Sequence, residues 1–194
     1  QSYSYANHPN LTVIKGDVCE FSEVEKAVCN ADYIIHCAGI AGIDTVGLKP
    51  TRTLQVNMVG SFNVLEAAAR AGRAKRVVCF STSEVFGGMA FSSSETDRSV
   101  IGAVGEARWT YAVSKLAEEH IAYYKERGLP ATVLRPFNIY GPGQVGEGAL
   151  KKFVEQALRN EPITIYGDGT QIRAWCYVDD MVDGVLRCLE NDKA

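Results

Sequence analysis

Tyr111 and Lys115, four residues apart in Tyr111-Ala-Val-Ser-Lys115, offer the most direct chemistry in this 194-residue chain. On a helix that spacing puts the phenol and the ammonium on one face. A lysine beside a tyrosine favours the phenolate, which lowers the phenol's pKa and makes it a base near neutral pH. The same spacing also describes an ordinary solvated helix face. A second cluster, Phe80-Ser-Thr-Ser-Glu-Val-Phe-Gly87, gathers three hydroxyls and a carboxylate. If it closes a parallel strand, Thr82, Ser83 and Glu84 stand where open sheets bind ligands and could hydrogen-bond a substrate alcohol. The alternative is a strand-end turn with Glu84 in solvent.

The surrounding pattern supplies elements to position these groups. Short apolar runs alternate with longer helical ones, the signature of an α/β protein with a parallel sheet. Strands are predicted at Leu11–Ile14, Tyr33–Cys37, Arg76–Phe80 and Ala131–Leu134. A helix is predicted from about Ser22, with Ser22 and Glu25 as a capping box. Another spans Pro50–Arg70, with Leu54, Met58, Val59, Phe62 and Leu65 at helical spacing. A third spans Trp109–Arg127 and is stopped by Gly128 and Pro130. Beyond Pro142 a Gly-rich loop precedes a helix over Ala149–Asn160, a strand at Ile163–Tyr166, an extended piece at Ala174–Val178 and a helix from Asp179. Tyr111 thus opens a helix one loop after the strand that ends at Phe80.

Composition narrows the classes. With 46% hydrophobic residues the chain can bury one core, and 20 Lys+Arg against 23 Asp+Glu give a formal net charge of −3. That balance argues against a nucleic-acid binder, which needs a basic stripe, and no apolar run approaches a membrane span. Six cysteines without a CxxC pair or a histidine-rich partner set read as reduced core thiols, with no metal site and a cytoplasmic location.

Read together, these motifs resemble the extended short-chain dehydrogenase/reductases that act on nucleotide sugars, the epimerase, dehydratase and decarboxylase group. The match runs through Gly16-Asp17, His36-Cys-Ala-Gly39, Asn57, the 80–87 cluster, Tyr111/Lys115, Arg135-Pro-Phe-Asn-Ile-Tyr-Gly-Pro142, Gly167-Asp-Gly-Thr-Gln-Ile-Arg173 and Tyr177-Val-Asp-Asp180. The resemblance implies a Rossmann-like doubly wound parallel sheet over residues 1–141 and part of a small substrate-binding lobe over 142–194. It further implies NAD as cofactor. Asp17 would bond the adenine, Ala38 and Gly39 would admit the cofactor backbone, and Val18, Asn57 and Pro136 would border it. Tyr111 would take the sugar 4-hydroxyl proton as hydride leaves C4, Lys115 would bond the nicotinamide ribose, and Thr82 would bond the same hydroxyl. Asn138 and Arg173 would hold the diphosphate, with Ile165 and Tyr166 bordering the base.

The Thr82-Ser83-Glu84 set, with Arg108-Trp-Thr-Tyr111 and Arg135-Pro-Phe-Asn138, is similar to that of UDP-glucuronate decarboxylases. Phe86 and Gly143 depart from their pattern, where tyrosine and arginine are frequent. The expected reaction is UDP-glucuronate decarboxylation. The alternatives are 4-epimerisation or 4,6-dehydration of a nucleotide hexose, or a non-catalytic fragment. The helices at 50–70 and 109–127 match those of a four-helix dimer interface in the family. No Gly-rich dinucleotide turn precedes Tyr33, so Leu11–Ile14 corresponds to the third strand of the fold. The chain is therefore expected to start inside a longer protein, without the first two strands. From the residues alone, Asp17 could simply cap a turn, Asn57 could be an ordinary polar helix position, and His36 reads as a satisfied strand-end histidine.

Overall fold

The computed structural model describes residues 8–88, 90–123 and 128–191. Its centre is a three-stranded parallel sheet in the order β1-β2-β3, with β1 at Tyr33–His36, β2 at Arg76–Phe80 and β3 at Ala131–Leu134. Ile34 pairs with Val77 and Val77 with Ala131, so all three strands end together at their carboxyl edge. Val77, Val78 and Cys79 on the central strand are completely buried, as expected for a parallel strand covered on both faces.

Helix α1 (Phe21–Val28) covers the sheet with α4 (Gly60–Ala71), and α5 (Trp109–Ala122) lies beside them. Val24, Val64, Leu65, Ala67, Ala68 and Ala122 join Ile34, Val77 and Cys79 in one apolar cluster. Gly72, in the left-handed region at φ 60°, closes α4. Two further short helices, α2 (Ile43–Leu48) and α3 (Pro50–Leu54), follow β1.

A smaller unit follows. Strand β4 (Asn138–Tyr140) pairs in parallel with β5 (Trp175–Tyr177), and α6 (Ala149–Leu158) lies between them in sequence. Helix α7 (Val178–Glu190) then returns to the main sheet, where Arg76 donates to the Asn191 carbonyl at 2.7 Å. β4 lies before the expected division at 141 and pairs across it.

Several expectations are corrected. Leu11–Ile14 is not a strand: it has no ladder partner among the described residues, and Leu11, Val13 and Ile14 are 44%, 80% and 67% exposed. Ile163–Tyr166 is also irregular, because Gln156 bonds both the Thr164 N–H and its hydroxyl and takes the place of a ladder. Helix α1 starts after Glu20, so the Ser22/Glu25 capping box does not form. Instead, Glu23 in the first turn reaches back to accept the Asp17 N–H at 2.8 Å. The expected single helix over 50–70 is broken by a π-helical turn at Gln55–Val59 that carries Asn57. Helix α5 begins at Trp109 as expected, while residues 124–127 of its predicted end lie outside the described residues. All six cysteines are free, but only Cys79 is buried, so most are not core thiols.

Candidate active site

The carboxyl edge of the sheet is tied together by polar side chains. The Ser81 N–H donates to the Leu134 carbonyl at 2.7 Å, and the Ser83 N–H to that of Pro136 at 2.9 Å. Beneath this turn, Glu119 accepts from Ser81 Oγ and takes both Arg135 Nε (2.8 Å) and Nη2 (2.7 Å). One glutamate on α5 therefore locks the ends of β2 and β3, a bidentate geometry in which an arginine is particularly effective. This fixes the turn of 3₁₀ helix over Ser83–Phe86, whose first N–H groups are served by Thr82: Oγ1 accepts from the Glu84 N–H at 3.3 Å.

Tyr111, Lys115 and Glu118 follow one another along α5 at helical spacing, so all three face this edge. Thr82 hydrogen-bonds Tyr111 and favours its phenolate. Burial, followed by the nearby carboxylates of Glu84 and Glu118, outweighs that bond and pushes the Tyr111 phenol up to about 12. This differs from the expectation that Lys115 lowers it. The reason is geometric: Lys115 Nζ donates to the Phe80 carbonyl at 2.6 Å and to Glu118 Oε2 at 2.7 Å, so its charge is already paired. Burial likewise raises the Glu84 carboxyl, against the opposing pull of Arg108.

A cavity of about 300 Å³ opens beside these groups, lined by Gly42, Ile43, Val46, Glu84, Arg108, Tyr111 and Arg173. It brings together the expected base, an expected carboxylate and the expected diphosphate arginine. A second cavity, about 750 Å³, shares Ile43 with it and is lined by Lys151, Lys152, Arg159 and Tyr166 among others. There Lys152 Nζ donates to the Tyr166 hydroxyl at 2.8 Å. Ile165 is 67% exposed next to it in sequence but does not line either cavity. Asn138 is not drawn in: its side-chain amide donates to the Ala174 carbonyl at 3.0 Å, within the second sheet.

The loop after β1 supplies the other wall. Asn57, fully buried on the π turn, accepts from the Ile40 N–H at 2.7 Å and donates to the Ile40 carbonyl at 3.0 Å and to Ser114 Oγ at 2.9 Å. It is therefore a clamp on the Ala38–Ile40 loop rather than an ordinary helix position. A Cβ at Gly39 would lie 3.2 Å from Asn57 Oδ1 and 3.5 Å from Lys115 Nζ, so this backbone sits directly against the lysine. Without a side chain at Gly39 the loop backbone stays open to close approach, and the ammonium beside it is a donor of the kind a dinucleotide's ribose hydroxyls accept from.

Further from the sheet, Val18 packs on Gly60 and its carbonyl accepts from Asn63 at 2.9 Å. Asp17 accepts the Cys19 N–H at 2.9 Å and pairs with Arg52 at 3.1 Å, contacts that hold its carboxyl below the usual range. Its observed contacts are those of a turn. His36 is satisfied as expected, with Nε2 2.9 Å from Ser61 Oγ, and burial followed by the Lys115 charge pushes it down to about 4.

Sequence reading passed over Glu118, the Glu119–Arg135 lock and Glu147, which accepts the Asp44 and Thr45 N–H groups at the start of α2. For Glu118 and Glu119 the available signal was their spacing of three and four from Lys115.

The family model for the NAD dependent epimerase/dehydratase family matches residues 1–194. The chain belongs to that family. Among its relatives, UDP-N-acetyl-alpha-D-glucosaminuronate decarboxylase of Bacillus cytotoxicus is 34% identical over 185 residues, 93% of this chain and 57% of the relative. UDP-glucuronic acid decarboxylase 6 of Arabidopsis thaliana is 34% identical over 194 residues, 97% and 54% of the two chains. The structure of UDP-glucuronic acid 4-epimerase from Bacillus cereus, in complex with UDP-glucuronic acid and NAD, superposes with a TM-score of 0.81 at 30% identity. That match covers 92% of this chain and 55% of the epimerase. The chain thus spans about half the length of the curated relatives it matches. Its parallel sheet and flanking helices are those of the family's Rossmann-like fold. Among the described residues, no group of three His, Cys, Asp or Glu could hold a metal, and no helix is long and apolar enough to cross a membrane.

Proposed function

We propose that this protein is an NAD-dependent nucleotide-sugar enzyme working through a transient 4-keto sugar, with UDP-glucuronate decarboxylation as the favoured reaction. The observation that carries this reading is the cavity in which Tyr111, Glu84, Arg108 and Arg173 converge at the carboxyl edge of the sheet. Bound NAD supplies a reversible hydride acceptor for C4 of the sugar. Lys115, Gly39 and the Asn57-clamped loop would hold its nicotinamide half, with Val18, Asp17 and Pro136 towards its other parts.

From its phenolate form, which the Thr82 bond favours against burial, Tyr111 takes the proton of the 4-hydroxyl, and Thr82 orients that hydroxyl. The resulting ketone is β to the C6 carboxylate. The C5–C6 bond then breaks, its electron pair moves to the C4 carbonyl as an enolate, and carbon dioxide leaves. A proton returns to C5. Glu84, whose proton affinity is raised by burial, is placed to deliver it, with Ser83 alongside. C4 would then regain the hydride and, at its oxygen, the proton held by Tyr111, which gives the UDP-pentose. The guanidinium of Arg173 suits the diphosphate, Asn138 lies on the same lobe, and Ile165 and Tyr166 mark the nucleobase end.

The second reading is 4-epimerisation, for which Tyr111 and Thr82 suffice; it is favoured by the likeness to an epimerase of UDP-glucuronic acid. Incubating the protein with NAD and UDP-glucuronate separates the two. Carbon dioxide and a UDP-pentose support decarboxylation, and a UDP-galacturonate product supports epimerisation. Stoichiometric NAD binding would contradict a non-catalytic fragment, whereas neither binding nor turnover would support one. Homodimerisation through 50–70 and 109–127 is supported by Val59, Phe62 and Val113, all more than two-fifths exposed on those helices. A monomeric mass in light scattering would reject it. The free cysteines and the choice of substrate support a cytoplasmic location.

A further inference from the structure

We infer that Glu118 is a positioning residue: buried beneath Lys115, it pins the ammonium against the Phe80 carbonyl and sets how much of its charge reaches Tyr111. Glu118 is fully buried and the Lys115 side chain is 5% exposed, yet they meet at 2.7 Å. Stability alone is a poor explanation for such a pair. A buried ion pair roughly breaks even against apolar side chains of similar volume, because desolvation offsets the attraction. Here the second oxygen, Oε1, has no hydrogen-bond partner among the described residues. The geometry does, however, hold Lys115 Nζ at the edge of the Gly39 loop, one helical turn from the Tyr111 phenol.

Elements on every side of Glu118 bring titratable or polar groups towards it. His36 and Cys37 lie on or after β1, Cys79 on β2, and Ser61 on α4, between Glu118 and His36. Tyr111, Lys115 and Glu119 share α5 with it, and Glu84, on the turn after β2, acts on Tyr111 beside it. His36 is neutral near pH 7, since its site pushes it down to about 4, so Lys115 is the cation that faces Glu118. With Glu118 ionised, Tyr111 faces a paired lysine and an anion. With Glu118 neutral, it faces an unpaired lysine. Both changes act in the same direction and make the phenolate easier to form.

The test is an NMR titration of the protein carrying carbon-labelled tyrosine, with Tyr111→Phe assigning the Tyr111 signal. Glu118→Gln is expected to move the Tyr111 ionisation to lower pH by about one to two units. Glu118→Asp, which keeps the anion, should restore most of the original value. An unchanged Tyr111 titration in a folded Glu118→Gln overturns the inference and leaves the proposed reaction untouched. If Glu118→Gln does not fold, Glu84→Gln protein, in which the other nearby carboxylate is silent, decides. Its Tyr111 signal should respond in the acid range as Glu118 takes its proton, and a flat response overturns the inference. The inference deepens the reading of Tyr111 and Lys115 as a reacting pair but is tested apart from it. A shifted titration in a protein that turns over no UDP-glucuronate would support the Glu118 role and remove the reaction.

Discussion

The two sheets of this molecule hold their functional side chains in opposite ways. At the end of the three-stranded sheet, Thr82, Lys115 and Glu118 are buried, and each has a named partner on another part of the frame or on the same helix face. In the two-stranded unit, Ile165, Tyr166 and Arg173 are exposed, and Arg173 donates to its neighbour's carbonyl. The first arrangement suits proton transfer, which depends on geometry and a dry surrounding. The second suits a ligand that organises its own site on arrival. Chemistry should therefore break sharply in the first region and binding should weaken gradually in the second.

The largest expected effect is on chemistry. Tyr111→Phe should reduce kcat by about a hundredfold or more with the fold unchanged, because it removes only the proton-accepting oxygen. A steady-state assay alongside thermal unfolding checks both halves. Next is the acid stability of the rigid region. His36 titrates at about 4 in the folded protein against an ordinary value of 6.5. As pH falls from 6.5 towards 4, the unfolded chain takes up a proton that the folded one does not. Stability is thus complete above 6.5 and declines on acidification, by about 3 kcal/mol from this residue. Denaturant unfolding of His36→Gln across that range should show a correspondingly flatter acid limb, and an identical slope would contradict the assignment.

Packing sharpens the same contrast. Val78 has no exposed surface, and Val78→Ala should cost about 2 kcal/mol in urea unfolding through the cavity it leaves. Ile165→Ala, at an exposed site, should change stability by less than about 0.5 kcal/mol. The smallest catalytic effect belongs to Arg173→Ala: an increase in KM of about tenfold, equivalent to about 1.4 kcal/mol of binding, with kcat largely retained.

What the sequence disclosed follows the same division. Strands Arg76–Phe80 and Ala131–Leu134 were legible because each is a short run rich in β-branched and apolar residues, and the Tyr111–Lys115 face because helical spacing is local. Leu11–Ile14 carries the same apolar signal but no ladder forms there, since pairing depends on a neighbour that a strand's own residues do not specify. Strand β4 was hidden for the converse reason: the three residues Asn138-Ile-Tyr140, just after Pro136-Phe137, become a strand only through Trp175–Tyr177, far along the chain. Asn57 lies on a π turn that shifts the register of an otherwise regular helical pattern. Glu118, in a run of Glu-Glu-His, reads as a solvated surface. Its burial becomes visible only when β1, β2 and α4 are packed around it.

In the proposed reaction the cleft around Tyr111 oxidises C4 of a nucleotide sugar. The most direct measurement is stopped-flow absorbance of reduced nicotinamide after the NAD-loaded protein is mixed with UDP-glucuronate. A transient rise and decay is expected, and it should be abolished in Tyr111→Phe. No transient in a protein that binds both ligands, or an undiminished one in Tyr111→Phe, would contradict that reaction.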